Sequence, residues 1–203
     1  MRFSSKFLYL GLLAIPALSA ANPLTIEFDK PDLGNDYIVT YGGQKLDAFV
    51  GSLYFSVPPS KKQFVTFCVD LTHEITNGQM YAVNPVFTSS LAASNVYREA
   101  GDVLDAGIKT ATDANHAAAL QLAIWKTVYG NQFSVAGVSN TVLAEEAADI
   151  AAGAKTKGNA IFLQDAPGSK GQSQITTTPE PTGLAILGIG VFGLFFRRRK
   201  DRV

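Results

Sequence analysis

The chain has 203 residues with 17 basic and 17 acidic side chains, a formal net charge of zero that hides a partition. Residues 1–21 carry +2, residues 179–203 carry +3, and the 10 basic and 15 acidic residues between them leave that middle at −5. A middle of one domain's length, apolar enough to bury a core and acidic overall, excludes a disordered chain and argues against nucleic acid as a partner; a single cysteine excludes both an internal disulfide framework and a cysteine-built zinc cage.

Residues 1–21 read as a secretory signal peptide: Arg2 and Lys6 precede an almost wholly apolar run from Phe7 to Leu18, and small residues follow at Ser19, Ala20 and Ala21. Cleavage is expected after Ala21. The domain proper is expected over 22–167. From Leu24 to Phe87 the apolar period is near two. Leu24, Ile26 and Phe28 alternate with polar neighbours, and Tyr37–Tyr41 runs into a Gly42-Gly43 turn. A strand carrying Phe49, Leu53, Phe55 and Val57 stops at Pro58-Pro59. Phe64–Leu71 is the next strand, and Asn77-Gly78 reads as a hairpin turn into Gln79–Phe87. Five or six short strands of this kind suit a small sandwich or barrel.

After Thr88 the period lengthens. Ser94 or Asn95 caps a helix through Ala106, and Asp113 or Asn115 caps a second from His116 to Tyr129, with Gly130 as its stop. Asn140 or Thr141 opens a third through Ala152, and a last strand spans Asn159–Leu163. The expected class is α+β: an N-terminal antiparallel sandwich- or barrel-like half, a helical insertion and a closing strand. Residues 168–178, rich in Gly, Ser, Gln and Thr, read as a flexible linker.

Residues 179–203 have three parts: Pro179-Glu180-Pro181, an uncharged segment at 182–196 read as a transmembrane helix, and a basic tail at 197–203 containing Arg197, Arg198, Arg199 and Lys200. At ~1.5 Å per residue the segment spans roughly 22 Å, short for a bilayer core of about 30 Å. The basic cluster holds the tail on the cytoplasmic side. Glycines at 183, 188, 190 and 193 flatten one helix face for packing against another membrane helix.

Two positions in the middle carry candidate chemistry. On a strand over Val65–Thr72, Val65, Phe67, Val69 and Leu71 share a core face, which leaves Thr66, Cys68, Asp70 and Thr72 on the other. In the alanine-rich second helix Gln121 is an isolated uncharged polar residue with Trp125 one turn on, and a buried carboxamide needs partners. Cys68 and Gln121 are therefore candidate partners for each other. Phe64, Phe67 and Trp125 are the groups that would exclude water, and His73 or His116 the groups that would move a proton. The plainer alternative is a free thiol packed near Gln121. A Cys68 hydrolase would need His116 as base, because residues five apart on a strand point to opposite faces. Asp70, His73 and Glu74 could suggest a metal site, but Asp70 and His73 fall on opposite strand faces unless a bulge intervenes, so solvated edge charges are expected there; with no phosphate loop or dinucleotide fingerprint either, no metal and no cofactor is expected. Glu145, Glu146 and Asp149 read as complements to a helix dipole.

The tail resembles the PEP-CTERM class of Gram-negative bacteria, with Pro179, Glu180, Pro181, the apolar helix and Arg197–Arg199 in the class's order. That resemblance implies export, cleavage by an exosortase in the inner membrane, and delivery to the cell surface or an extracellular polysaccharide matrix. Phe67-Cys68-Val69-Asp70 and Leu120–Trp125 resemble the two signatures of bacterial thioester domains found on surface adhesins. There the cysteine sulfur is bonded to the glutamine side-chain carbonyl carbon, and an amine on a target opens the bond. Carried over by position, the pair is Cys68 and Gln121, with Trp125, Phe67 and Asp70 as pocket support. The function expected from both resemblances is surface adhesion or biofilm attachment, with a secretion machinery and exosortase as partners, a polysaccharide or amine-bearing target outside, and no turnover enzyme. A noncovalent matrix protein on the same fold is the alternative, and a cysteine hydrolase a distant third.

Overall fold

The computed structural model describes residues 23–178. The expected signal peptide and the sorting segment from Pro179 onward lie outside the described residues. The elements in order are β1 (Leu24–Tyr41), β2 (Gln44–Ser56), β3 (Gln63–Cys68), β4 (Met80–Phe87), α1 (Val96–Gly107), α2 (Ala114–Tyr129), β5 (Phe133–Ala136), α3 (Asn140–Gly153), β6 (Ile161–Asp165) and β7 (Gln174–Thr176).

The two alternating runs at the start are one bent strand. Its register against β2 slips between Phe28 and Lys30 and again between Pro31 and Gly34. Each extra residue kinks the strand and adds twist. Serines on β2 hold both slips: Ser56 donates to the Asp29 carboxylate at 3.1 Å, and Ser52 donates to the Asp32 carboxylate at 3.0 Å. Past the second slip Gly34 faces Gly51. A Cβ on either would run into the backbone of the opposite strand, so the close approach requires glycine at both.

That bend lets β1 serve both ends of the sheet. The strand order is β2-β3-β7-β6-β4-β1-β5, every pairing is antiparallel, and β1 also pairs with β2. Six strands thus form a closed circuit, with β5 appended to the far end of β1. The sandwich alternative is not what forms: the described residues are mixed α and β, with one antiparallel sheet of seven strands and three α-helices.

Two strands escaped the sequence reading. β5 pairs with Ile38–Tyr41. β7 lies inside the expected 168–178 linker, and its Gln174, Ile175 and Thr176 are all buried between β3 and β6. Asn77-Gly78 is a turn, but it joins no hairpin, because β4 pairs with β1 and β6.

Three apolar clusters result. Ile26, Phe28, Leu53, Phe55, Tyr81, Val83 and Leu163 form one, built from β1, β2, β4 and β6. Phe67, Val69 and Ile175 pack under α1 and α2, and Val39, Val50, Cys68 and Phe133 pack under the other flank of α2. α2 therefore sits between two cores, and every residue from Ala117 to Trp125 is buried. Its ends follow from local chemistry. The Asp113 carboxylate accepts from the N–H groups of Asn115 and His116, and Gly130 ends the helix at positive φ.

Candidate functional site

β3 ends at Cys68, earlier than the alternation suggested. Val69 gives its N–H to the Ser173 carbonyl, and the chain then turns. Phe67 and Val69 point into the cluster beneath α1, and Cys68 points the other way, beside Ala118, Ala119, Leu122 and Trp125. The second face of this strand is therefore apolar around the sulfur. Phe67, expected as pocket support, lies on the far side of the strand from Cys68.

The fully buried Gln121 side chain reaches the backbone of Cys68. The Cys68 N–H donates to Gln121 Oε1 at 2.9 Å, and Gln121 Nε2 donates to the Cys68 carbonyl at 2.8 Å. Both main-chain groups at a strand end are satisfied by one carboxamide arriving from a helix 53 residues later in sequence. The Cys68 thiol donates to the Asp70 carbonyl at 2.9 Å and accepts from the Asp70 N–H at 3.2 Å. Burial pushes the thiol up to about 12, with the charge of Asp70 in support; the hydrogen bond with the Asp70 backbone and the Trp125 indole act in the opposite direction. The resting group at neutral pH is the thiol.

Cys68, Gln121 and Trp125 line a cleft of about 340 Å³. Leu46–Phe49 of β2 and His73, Glu74 and Ile75 of the segment after Cys68 also line it. The buried Trp125 Nε1–H makes no well-formed hydrogen bond among the described residues, although it lies near enough to the Cys68 sulfur to favour a thiolate. A donor placed in this way beside a carboxamide and a thiol is free to serve a ligand or a developing negative charge.

The loop after Cys68 is held from three sides. Tyr129 Oη donates to the Val69 carbonyl and accepts the Leu71 N–H, and burial raises its phenol above the ordinary value. Gln172 Nε2 donates to the carbonyls of Asp70 at 2.8 Å and His73 at 2.7 Å. Gln174 joins Gln172 to Thr66. The Asp70 carboxylate accepts from the Thr72 N–H and bonds His73 Nδ1 at 2.7 Å. Asp70 and His73 are thus not on opposite faces, because the strand has already ended and an Asx turn brings them together. Sequence reasoning missed Tyr129 and Gln172; the Gln-x-Gln alternation of 172 and 174 next to Ile175 was the available signal.

The two histidines separate. His73 lines the cleft. His116 bonds Asp113 at 2.7 Å and Glu145 at 3.3 Å and is absent from the cleft lining, so it serves neither proton transfer at Cys68 nor the hydrolase reading. Its bond to Asp113 raises its pKa. Glu145, Glu146 and Asp149 lie beyond the first turn of α3, so the dipole role expected for them is replaced for Glu145 by this tie to α2. Among the described residues no cluster of His, Cys, Asp and Glu is arranged to hold a metal, and no helix is long and apolar enough to cross a membrane.

Comparison with known proteins adds an address to this geometry. Residues 177–200 match the family model described as the PEP-CTERM protein-sorting motif. The motif implies an exported protein, processed by an exosortase and sorted through the membrane to the cell surface. The match begins at the residue after β7 ends. Among solved structures, the thioester domain of the Staphylococcus aureus TIE protein is similar with a TM-score of 0.43 at 13% identity, over 75% of this chain and 78% of that one. At that score the likeness carries no argument about the site, which rests on its own distances. No curated protein matches.

Proposed function

We propose that this chain is a surface protein for adhesion or matrix attachment whose exported domain captures an amine-bearing target covalently through Cys68 and Gln121. The signal peptide at 1–21 and the tail from Pro179 are the segments removed on the way, with the helix at 182–196 and Arg197–Lys200 holding the precursor in the inner membrane. The observation that carries the chemistry is the clasp itself: the Gln121 carboxamide is fixed on the Cys68 backbone inside a cleft that also holds the sulfur.

In the forming step the sulfur attacks the Gln121 side-chain carbonyl carbon, the C–N bond breaks, and ammonia leaves with the thiol proton. The Cys68 N–H already donates to the oxygen on which negative charge develops, and the Trp125 N–H supplies a second donor in the same cleft. The product is a thioester whose sulfur lies among Ala118, Ala119, Leu122 and Trp125, apolar neighbours that limit hydrolysis. In the capture step a target amine attacks the same carbon, the C–S bond breaks, and the thiol is regenerated with an amide to the target. Asp70 supports the site through its backbone contacts with the sulfur, and Phe67 anchors the same strand from the core on its other face.

The intact mass of the purified full chain tests this. A chain lighter by one ammonia is expected, becoming heavier by one methylamine after treatment, with neither change in Cys68→Ala. An unmodified mass with a thiol that alkylates on unfolding would reject the covalent reading. That result would favour a noncovalent matrix protein, a reading supported by the thiol's elevated pKa and its bond to Asp70.

A further inference from the structure

β2 is covered unequally on its two sides. β1 pairs with it from Gln44 to Ser56, whereas β3 pairs only from Ser52 to Ser56. Among the described residues the outer edge of Gln44–Gly51 has no strand partner. This edge borders the cleft, since Leu46, Asp47, Ala48 and Phe49 all line it. Successive side chains of a strand point to opposite faces. A cleft touched by four consecutive residues therefore lies against the strand's edge, where the unpaired backbone groups are.

The turn before β2 sets which groups these are. Gly42 and Gly43 both have positive φ, 56° and 83°, and form a two-residue hairpin turn that makes Tyr41 and Gln44 the closing bonded pair. Antiparallel alternation then directs the N–H and C=O of Asp47 and Phe49 away from β1, toward the cleft. Among the described residues the acidic side chains in the lining are Asp47 and Glu74, His73 lines it while bonded to the Asp70 carboxylate, and no lysine or arginine does. A volume of about 340 Å³ admits a short stretch of backbone with one long side chain.

From these observations we infer that the cleft binds an extended polypeptide, added as a strand to the β2 edge at Asp47 and Phe49, with a cationic side chain passing between Asp47 and Glu74 toward Gln121. Strand addition derives its affinity from alternating main-chain amides, which a polysaccharide lacks, so the target is protein. This rests on the proposed function for the cleft's purpose and names the class of its target, but the binding step needs no thioester.

The probe is a fluorescent, terminally blocked Thr-Val-Lys-Val-Thr peptide, titrated by anisotropy into the detergent-solubilised full chain, as wild type and as Cys68→Ala. Saturable binding to both is expected. It should weaken roughly tenfold or more when alternate peptide nitrogens are methylated, since each lost amide bond is worth about 1 kcal/mol. Asp47→Pro, which removes one outward N–H, should weaken it comparably, and Asp47→Asn with Glu74→Gln should weaken it and flatten its salt dependence. Equal binding of the methylated peptide, equal or better binding of an amine-bearing glucosamine oligomer, or no peptide binding would overturn the inference. If Asp47→Pro misfolds by circular dichroism, the methylated peptide on wild type decides alone. Peptide binding without ammonia loss sinks only the covalent reading; ammonia loss with binding indifferent to methylation sinks only strand addition.

Discussion

Gln121 is tied to the main chain of Cys68 at both ends of its carboxamide. Its two bonds to Cys68 satisfy buried main-chain groups whose loss would cost about 1–3 kcal/mol each, so the clasp stabilises the fold whether or not a covalent bond forms. The residue types were legible in the sequence: a single polar side chain in an apolar helix has to find partners. The identity of those partners was legible only as a suggestion, because a backbone N–H and C=O leave no mark in a sequence. Asp149 makes a sharper test of local electrostatics. Burial, then the neighbouring Glu145, hold its carboxyl up to about 6 from an ordinary 3.8, with His116 opposing. The folded state thus binds this proton more tightly than the unfolded state, and stability falls as pH rises from 3.8 through about 6. Asp149→Asn is expected to raise the melting temperature above that window and to leave it unchanged below; a gain of equal size at both pH values would show that charge is not the cause.

At the scale of elements, α2 and β7 mark the two extremes of legibility. α2 announces itself through Asp113 or Asn115 as cap, Gly130 as stop and an unbroken apolar run; Asp113 is the cap that forms, and the observed span differs from the expected one by two residues at the start. β7 has three residues, of which only Ile175 is strongly apolar, and a strand that short sets up no period. Its place is decided by the exposed edges of β3 and β6, which need a partner between them. Ile175 is fully buried under α1 and α2. Ile175→Ala is expected to cost about 2–5 kcal/mol, read as a lower urea midpoint with an unchanged slope. A loss under about 0.5 kcal/mol, typical of surface positions, would return this segment to the status of a linker.

For the whole molecule, the circuit of strands closes only when the last described element has entered it. The first strand pairs with the second and fourth, and the seventh joins the third to the sixth, so early and late parts of the chain are interdependent. A chain ending at Ser173 is expected to lose cooperative unfolding and to aggregate through the opened β3 and β6 edges, while one ending at Thr178 folds; size-exclusion and urea titration compare them, and a monomeric, cooperative Ser173 form would contradict the closed circuit. The folded sheet therefore runs to within two residues of Pro179. Short-range signals were enough to mark the two charged and apolar ends, the sorting motif, the three helices and the candidate pair at Cys68 and Gln121, because periodicity, caps and linear motifs are local. The tertiary structure alone decided that the sheet closes, that 174–176 is a strand, that His116 lies away from the sulfur, and that the open edge of β2 borders the cleft. Each of these depends on contacts between residues far apart in the chain, where burial and unpaired backbone groups choose the partner and local propensity has no say.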